Sequence, residues 1–348
     1  MTVRVGFLGA GLIAGVHARS LAASGADFAF AGAYDADDAR LAAFASLTGA
    51  SVCSSASEVV AGCDAVYVCT WTSEHPELVA LAAAAGRPVF CEKPLATDLA
   101  GAVEMHRTVT EAGVINQVGL VLRSSNAFAL LRHLVDDPDS GRLLSVTFHD
   151  DQCLPVEGWY DSTWRGDAAK AGSGVLLEHS IHDVDLIEAV GGPVARVSGN
   201  LAYTHARPGI EDVVAATLGY ASSAVANLTT VWHDIPERLN DRRVEVVCER
   251  LWVALEGDWV GPIKWQRAGS PVQRLRGSEL VDHAVELGID RANADGDFIA
   301  AVADGRPASP DFGDALRAHV LVDAIYRSAR DAAVVDIPSP GSGSAEVR

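Results

Sequence analysis

Hydrophobic and polar positions in the first third of the chain follow two alternating patterns. Short runs rich in β-branched and aromatic residues are separated by alanine-rich stretches of helical length, with helices predicted near residues 12–23, 37–47 and 74–85. The six predicted strands are VRVGFLG, DFAFAGAY, a weak SVC, DAVYVCT, PVFCEK and VINQVGLVL. This alternation predicts repeated βαβ units, and the nearly continuous hydrophobicity of the strands indicates a parallel sheet covered on both faces.

The pattern changes after residue 123. A helix is predicted near residues 127–135 and a strand near residues 143–149. A polar, tryptophan-bearing stretch then follows, DQCLPVEGWYDSTWRGDAAKAGSG, and an irregular segment of this length is more often functional than not. The next stretch, VLLEHSIHDVDLIEAV, has helical spacing and is predicted to form one helix.

Beyond Gly192 the chain contains runs typical of a mostly antiparallel sheet with one exposed face. They are VARVSGNLAY, DVVAATLGY, SAVANLTTVW, RRVEVVC and LWVALEG, and helices near residues 282–303 and 312–332 follow them. We therefore predict an α/β protein with an N-terminal, doubly wound Rossmann domain over residues 1–122. A C-terminal α/β domain with a large, mostly antiparallel open sheet is predicted over residues 123–338, and a flexible tail over residues 339–348.

Composition narrows the possible partners and location. A chain of 348 residues with 49% hydrophobic content is long enough for two cores. The formal net charge of -19 argues against binding to nucleic acid or to an anionic membrane surface. The sequence shows neither a signal peptide nor an apolar stretch of about 18 residues, and its six cysteines lack CxxC spacing. We expect a cytoplasmic protein.

A glycine turn joins the first predicted strand to the first predicted helix. It reads Gly9-Ala10-Gly11-Leu12-Ile13-Ala14, which matches GxGxxG/A in the one context where that motif has a mechanism. Gly9 permits the tight turn, and Gly11 lets a pyrophosphate approach the N–H groups of Leu12 and Ile13 at the positive end of the helix. An ordinary glycine turn without a ligand is the alternative interpretation.

An acidic residue at the end of the second strand supports the nucleotide interpretation. Asp35 stands where a carboxylate can accept hydrogen bonds from the ribose hydroxyls of the adenosine half. Asp37 and Asp38 follow it, and the next arginine is Arg40. Because this acidity repels a 2′-phosphate, we predict NAD as the cofactor in preference to NADP.

The fifth predicted strand ends in Cys91-Glu92-Lys93-Pro94, and here the chain resembles the Gfo/Idh/MocA oxidoreductase family. The resemblance extends from the opening GxGxxA through CTWTSEHPEL to the final helical region. It implies an NAD(P)-dependent oxidoreductase acting on CH–OH groups, in which Lys93 donates hydrogen bonds to the reacting oxygen. It also implies that Thr70, Trp71, His75 and Glu92 lie near the nicotinamide end of the cofactor, and that the Lys93–Pro94 bond is cis.

The second part of the family pattern is the segment from Gly172 to Asp185. It contains Glu178 and, four residues later, His182, and helical i,i+4 spacing would put both on one face. His182 is our candidate general base, because an imidazole can accept the hydroxyl proton as hydride leaves carbon. Glu178 would orient the imidazole or hold a substrate hydroxyl. Members of the family often have aspartate at the position of Glu178 and a small or apolar residue at that of His179.

Several further residues are candidates for contact with substrate. Arg123, Trp164 and Arg165 could lie against a sugar ring or its hydroxyls, as could His179. Each could equally have a structural role. A metal site built on Glu178, His179 and His182 is the other possibility, but no third-ligand motif supports it, and we expect no metal.

The expected function is oxidation of a secondary hydroxyl of a sugar, cyclic polyol or sugar derivative, or the reverse reduction, with hydride transfer to nicotinamide C4. A redox-neutral glycosidase or lyase that oxidises its sugar transiently is the alternative, and a cofactor-sensing protein without catalysis is a third possibility. The resemblance further implies a homodimer or homotetramer.

Overall fold

A computed structural model describes residues 2–157, 160–238, 240–289 and 293–338. These residues form two compact units. Unit 1 contains described residues in the ranges 2–121, 169–172 and 293–319, and unit 2 contains those in the ranges 122–168, 173–289 and 320–338. The tail predicted over residues 339–348 lies outside the described residues.

The strands of the described chain form two sheets. Their bounds are β1 Val3–Leu8, β2 Phe28–Tyr34, β3 Ser51–Val52, β4 Ala65–Val68, β5 Val89–Cys91, β6 Asn116–Val118, β7 Leu143–Cys153, β8 Val194–Ala202, β9 Val213–Tyr220, β10 Val225–His233, β11 Asn240–Cys248, β12 Leu251–Glu256, β13 Ile263–Arg267, β14 Gln273–Leu275 and β15 Val335–Asp336.

Helices account for most of the remaining regular structure. The α-helices are α1 Leu12–Ala23, α2 Asp38–Thr48, α3 Ala56–Gly62, α4 His75–Ala84, α5 Leu99–Ala112, α6 Asn126–Asp136, α7 Ala168–Ala171, α8 Val175–Glu178, α9 Ile181–Gly191, α10 Ser278–Glu286, α11 Ala294–Asp304 and α12 Phe312–Asp331. No helix among the described residues is long and apolar enough to span a bilayer.

Unit 1 contains the predicted parallel sheet. Its strand order is β3-β2-β1-β4-β5-β6, and every pairing is parallel. Along β4, Val66 and Val68 enter one hydrophobic cluster while Ala65 and Tyr67 enter another. Both faces are therefore covered, as the continuous hydrophobicity of the strands predicted. The strand order reverses beside β1, which is where open α/β sheets bind ligands, at the carboxyl ends of their strands.

Unit 2 contains a nine-stranded sheet in the order β14-β13-β12-β11-β7-β10-β9-β8-β15. All pairings are antiparallel except that between β7 and β10, which confirms the mostly antiparallel sheet predicted. Along β10, Ala226 and Leu228 are buried, whereas Val225 and Asn227 are exposed. This alternation is typical of a sheet with one covered face.

The bounds of two elements differ from those predicted. The single helix predicted over residues 282–303 is divided between α10 and α11, because Gly288 adopts the left-handed conformation, with φ +68°, that ends helices. The strand predicted to stop at His149 continues to Cys153 as β7. Polar residues can extend this strand because Asp150 and Asp151 form ion pairs with arginines of unit 2.

Candidate active site

The glycine turn of unit 1 requires glycine at its first position. Gly9 has φ +92°, and a Cβ placed there would lie 2.6 Å from the carbonyl oxygen of Cys69. A side chain at this position would therefore be strained and would also collide with the neighbouring backbone. The turn brings the end of β1 into close contact with the residues that follow β4.

Gly11 has a different environment from Gly9. Its φ is -76°, and a Cβ added there would meet no atom of the described residues within 4 Å. Among the described residues no side chain caps α1, and no acidic residue lies in its first turn. Leu12 and Ile13, at the start of the helix, are 55% and 38% exposed. Uncapped N–H groups at a positive helix end beside open space are suited to the pyrophosphate of a dinucleotide.

Asp35 lies directly after β2 and contacts the glycine turn. Its Oδ2 accepts a hydrogen bond from the N–H of Ala10 at 2.7 Å, and its Oδ1 accepts one from the N–H of Asp37 at 2.8 Å. Each carboxylate oxygen keeps a second lone pair with which it could accept a hydrogen bond from a ribose hydroxyl. Asp35 therefore also fixes the glycine turn, a role that the sequence did not indicate.

The segment after β4 contains Thr70, Trp71 and Thr72, of which Thr72 is buried. The Nζ atom of Lys170, a residue of unit 1, lies 3.8 Å from the centroid of the Trp71 ring. This is a cation–π contact, and it fixes the ring beside the predicted cofactor segment. Lys170 lies in the polar stretch that the sequence analysis predicted to be functional, but it was not singled out there.

Lys93 follows β5 at the carboxyl edge of the parallel sheet and is half-buried. Its peptide bond to Pro94 is cis, as the family resemblance implied. The adjoining residues are held by three buried histidines. His17 Nε2 lies 2.9 Å from Glu92 Oε1, His75 Nδ1 donates to the Pro94 carbonyl oxygen at 2.9 Å, and the Leu95 N–H donates to His319 Nε2 at 3.1 Å.

The three histidines do not all carry the same charge. Burial opposes a charge on His17, but hydrogen bonds to Asp295 and Glu92 raise its pKa to about 10. His17 is therefore an imidazolium at neutral pH. Burial lowers the pKa of His319 to about 4, so that its ring is neutral and can accept the Leu95 N–H. Burial raises the pKa of Glu92, but the hydrogen bond and charge of His17 outweigh that effect and lower it.

The sequence analysis missed His17, Asp295 and His319. His17 lies on the buried face of α1, which otherwise presents small and apolar residues such as Ala14, Ala18 and Leu21. A histidine on such a face is the one signal that could have identified it. Its partners could not have been identified, because Asp295 is 278 positions away.

In unit 2, the segment that precedes Glu178 is anchored by Glu211. The Glu211 carboxylate accepts hydrogen bonds from the N–H groups of Gly174 at 2.7 Å and Leu176 at 2.9 Å, and from the hydroxyl of Tyr326 at 2.8 Å. A Cβ on Gly174 would lie 1.8 Å from the Glu211 carbonyl oxygen, so only glycine fits there. Glu211 and Tyr326 were also missed, since nothing in their local sequence marks them.

The single helix predicted over VLLEHSIHDVDLIEAV is interrupted. α8 ends at Glu178, His179 and Ser180 form a turn, and α9 begins at Ile181. The turn is built from His179 at ψ -60° and Ser180 at ψ 8°. The argument that i,i+4 spacing puts Glu178 and His182 on one helical face is therefore wrong, because the two residues belong to different helices.

Glu178 is buried and forms an ion pair with a residue of the polar stretch. Its Oε2 lies 3.2 Å from the Nε of Arg165. The guanidinium of Arg165 also lies 4.9 Å from the centroid of the Trp164 ring. The structure thus brings together three residues that the sequence analysis proposed separately as substrate contacts.

His179 and Asp183 belong to a buried charge network. His179 Nε2 lies 2.7 Å from Asp150 Oδ2, and Arg242 forms 2.5 Å contacts with both Asp150 and Asp183 and also pairs with Asp258. Burial raises the pKa of Asp183 to about 7, an effect that Arg242 opposes and Asp150 reinforces. This network fixes the residue that directly follows His182.

The remaining candidates also have defined places. His182 is half-buried in the first turn of α9. Arg123 forms a bidentate ion pair with Asp185, at 2.8 and 2.6 Å. Lys93 belongs to unit 1 and His182 to unit 2, and the convergence of these two side chains stays a prediction. In the part of the chain that the structure describes, no group of three or more His, Cys, Asp or Glu side chains could hold a metal ion.

Comparison with known proteins gives two matches to family models. Residues 3–120 match the oxidoreductase family with the NAD-binding Rossmann fold, designated GFO_IDH_MocA. Residues 128–254 match the GFO/IDH/MocA C-terminal domain. Together the two matches cover more than half of the chain.

Individual relatives and solved structures agree with these matches. Inositol 2-dehydrogenase of Rhizobium meliloti (strain 1021) is 29% identical over 349 residues, covering 97% of this chain and 100% of the relative. WlbA dehydrogenase from Bordetella pertussis, solved with NADH and UDP-GlcNAcA, is 26% identical with a TM-score of 0.85, covering 97% of this chain and 98% of the other. A levoglucosan dehydrogenase in complex with NADH has the same fold, with a TM-score of 0.85 at 20% identity, covering 98% of this chain and 100% of the other.

Proposed function

Because the chain belongs to the Gfo/Idh/MocA family of oxidoreductases with an NAD-binding Rossmann fold, we propose that it is an NAD-dependent dehydrogenase of a secondary hydroxyl. The substrate would be a sugar, a cyclic polyol or a sugar derivative, and the reaction could run as oxidation or as the reverse reduction. The observation that carries the proposal is that the predicted cofactor-binding and catalytic residues of unit 1 follow strands at one edge of the parallel sheet. Gly11, Asp35 and Lys93 follow β1, β2 and β5 there.

The residues of this edge fit a dinucleotide. The N–H groups at the start of α1, including those of Leu12 and Ile13, would hold the pyrophosphate, and Asp35 would hold the adenosine ribose. When bound, NAD supplies a hydride acceptor at nicotinamide C4. Asp37 and Asp38 add negative charge beside Asp35, which disfavours the 2′-phosphate of NADP.

The nicotinamide end would lie among residues that follow β4 and β5. Thr70, Trp71 and His75 would form one side of this region, and Glu92 and Lys93 would form the other. His75 also lies 3.3 Å from the Thr70 carbonyl oxygen, so a single ring connects the two segments. This connection would keep the ammonium of Lys93 at a fixed distance from the cofactor.

The chemical step would be carried out by one residue from each unit. His182 would accept the hydroxyl proton as general base, and Lys93 would donate hydrogen bonds to the oxygen as its charge develops. Glu178 would orient His182 or accept a hydrogen bond from a neighbouring substrate hydroxyl. Its ion pair with Arg165 favours the second role, because Arg165 stabilises a carboxylate that accepts hydrogen bonds.

The names of the relatives suggest the first substrates to test. Inositol and levoglucosan are cyclic polyhydroxy compounds, and the relatives named for them cover nearly the whole chain. The purified protein would be incubated with a panel of cyclic polyols and monosaccharides, with NAD and separately with NADP, and followed at the nicotinamide absorbance. Steady accumulation of NADH with at least one polyol supports the proposal, and inertness across the whole panel despite tight NAD binding would refute it.

The same assay separates the dehydrogenase from a redox-neutral enzyme. A glycosidase or lyase that oxidises its sugar only transiently returns the hydride, so that product forms without net NADH. Chromatography of the reaction mixture beside the absorbance measurement distinguishes the two. Product in the absence of NADH would favour the redox-neutral alternative.

We also propose that the protein is cytoplasmic and forms a homodimer or homotetramer through the exposed face of the nine-stranded sheet. All six cysteines are free thiols, as expected in a reducing compartment. The exposed face of β10 includes apolar residues such as Val225, which a partner subunit could cover. Light scattering coupled to gel filtration measures the oligomeric state directly.

A further inference from the structure

The strongest feature outside the proposed reaction is a buried ion triad in unit 1. The ring of His17 lies between two carboxylates, 2.7 Å from Asp295 Oδ1 and 2.9 Å from Glu92 Oε1. The side chains of His17, Glu92 and Asp295 are only 3%, 9% and 5% exposed. Desolvating three ionisable groups is costly, and apolar residues of similar volume often stabilise a core equally well or better. The neighbours of His17 include the aromatic rings of Tyr67 and Phe90.

One end of the triad leads to Lys93. The Glu92 Oε2 atom accepts a hydrogen bond from the main-chain N–H of Lys93 at 3.2 Å. On its other side the carboxylate packs against Gly119, where an added Cβ would lie 2.3 Å from Oε1. The Glu92 carboxylate is thus held by His17 and Gly119, and it in turn holds the backbone of Lys93.

We propose that His17, fixed by Asp295, is a positioning residue for Lys93 and acts through the carboxylate of Glu92. The proposal rests on the function proposed above, because it assumes that Lys93 contacts the reacting oxygen. Only 3% of the His17 side chain is exposed, so His17 would act without touching substrate or cofactor. Its role is to keep the Glu92 carboxylate in place and charged beside the ammonium of Lys93.

Several other titratable groups face the triad. Lys93, His75, Cys69 and Cys91 face Glu92, while Tyr67 and Cys69 face Asp295. Loss of the imidazolium would leave a buried carboxylate at position 92, and burial favours its protonated form. Lys93 would then lose a neighbouring negative charge, so its ammonium form would be less favoured.

The first experiment is a double-mutant cycle between His17→Asn and Lys93→Ala. Asparagine keeps a donor near the position of Nδ1 for Asp295 and removes both the charge and the donor to Glu92. We expect His17→Asn to lower kcat by about 10- to 100-fold in the presence of Lys93, and by less than about twofold in the Lys93→Ala background. NADH affinity should stay within about threefold of the unmodified protein. Equal losses of kcat in the two backgrounds would show a merely structural role and overturn the proposal.

The second experiment needs no substrate. The chain contains three lysines, Lys93, Lys170 and Lys264, so acetylation of each can be followed separately by mass spectrometry. We expect His17→Asn to increase the acetylation rate of Lys93 relative to Lys264 by about threefold or more at slightly alkaline pH. The control variant His133→Asn changes an exposed histidine of α6 and should leave this ratio unchanged.

The two experiments distinguish failure of this inference from failure of the proposed function. If the unmodified protein oxidises no polyol, the proposed function fails, and the acetylation ratio alone decides whether His17 controls Lys93. If His17→Asn does not fold, Asp295→Asn keeps the shape of the triad and tests it in the same two ways, with the same directions expected. An unchanged Lys93 ratio in a folded variant would refute the proposal.

Discussion

The two glycines of the cofactor turn provide a matched test of the nucleotide site. In Gly11→Ala the new Cβ meets no atom within 4 Å in the part of the chain that the structure describes, and the backbone φ of -76° suits alanine. Alanine is a poorer helix cap than glycine, but it also restricts the unfolded chain, so the free energy of unfolding should change by less than about 1 kcal/mol. In the holo protein the same methyl group would occupy the space that a pyrophosphate needs.

We therefore expect Gly11→Ala to weaken NADH binding by about tenfold or more, which corresponds to about 1.4 kcal/mol, at nearly constant stability. Gly9→Ala is the contrasting variant. The φ of +92° at this position adds backbone strain of about 1–2 kcal/mol. The 2.6 Å approach of the new Cβ to the Cys69 carbonyl oxygen adds an overpacking cost of about 1–3 kcal/mol. Its melting temperature should therefore fall by about 4 °C or more.

The assay is a fluorescence titration with NADH beside a thermal melt, carried out on the unmodified protein and both variants. The proposed site requires affinity loss without stability loss for Gly11→Ala, and stability loss for Gly9→Ala. If Gly11→Ala binds NADH as tightly as the unmodified protein, the pyrophosphate does not lie over the start of α1, and the assignment of this turn is refuted.

Three further predictions follow from the same structure. His182→Ala should lower turnover by about 10²- to 10⁴-fold while NADH still binds in a fluorescence titration. The control variant His133→Asn should retain full turnover. Unchanged turnover in His182→Ala would reject His182 as the general base. Asp35→Ala should weaken NAD binding and narrow the preference for NAD over NADP, because the ribose would lose its carboxylate partner. It should also lower the melting temperature, because the N–H of Ala10 loses its acceptor. A variant with an unaltered preference for NAD over NADP would contradict the ribose assignment. The pKa of His319 is about 4 in the folded protein, against 6.5 for an ordinary histidine. Between these pH values the unfolded chain binds one proton more than the folded chain. The free energy of unfolding therefore falls as pH decreases through this window. Urea unfolding should show the unmodified protein losing about 2 kcal/mol more than His319→Gln between pH 7 and pH 5, and equal losses would show that His319 is not buried in its neutral form.

The Rossmann unit could be predicted from the sequence because its signals are local. The strands of the parallel sheet are hydrophobic on both faces, and a strand such as β4 is wholly buried. The glycine turn and Asp35 lie at fixed positions relative to these strands, so a short stretch of sequence identifies both. Lys93 was identified by the motif that carries the family resemblance rather than by any periodic pattern.

The interruption between α8 and α9 could not be predicted, because its causes are distant in sequence. The segment before Glu178 is held by hydrogen bonds from its main-chain N–H groups to Glu211. Ser180 lies in the turn between the two helices, and its hydroxyl forms a hydrogen bond with Thr230 Oγ1 at 2.5 Å. A helical periodicity contains no information about such partners. The triad around His17 was not predicted for the same reason, since its members are distant in sequence.

Edge strands of the larger sheet were also missed. β14 and β15 have only three and two residues, and their sequences, QRL and VD, show no hydrophobic alternation. Strands of this kind form because a neighbouring strand offers free backbone groups, which local sequence does not reveal. The fold class was nevertheless predictable, since the longer strands β8 to β12 alternate clearly.

The central claim is that Lys93 and His182 act on the same hydroxyl of the substrate. A crystal structure of the protein with NADH and an oxidisable cyclic polyol, or its ketone, measures this directly. We predict that Lys93 Nζ and a ring nitrogen of His182 both lie within about 3.2 Å of the reacting oxygen, on the side of the nicotinamide ring that carries the transferred hydride. A complex in which either side chain lies in a separate pocket from that oxygen would contradict the account.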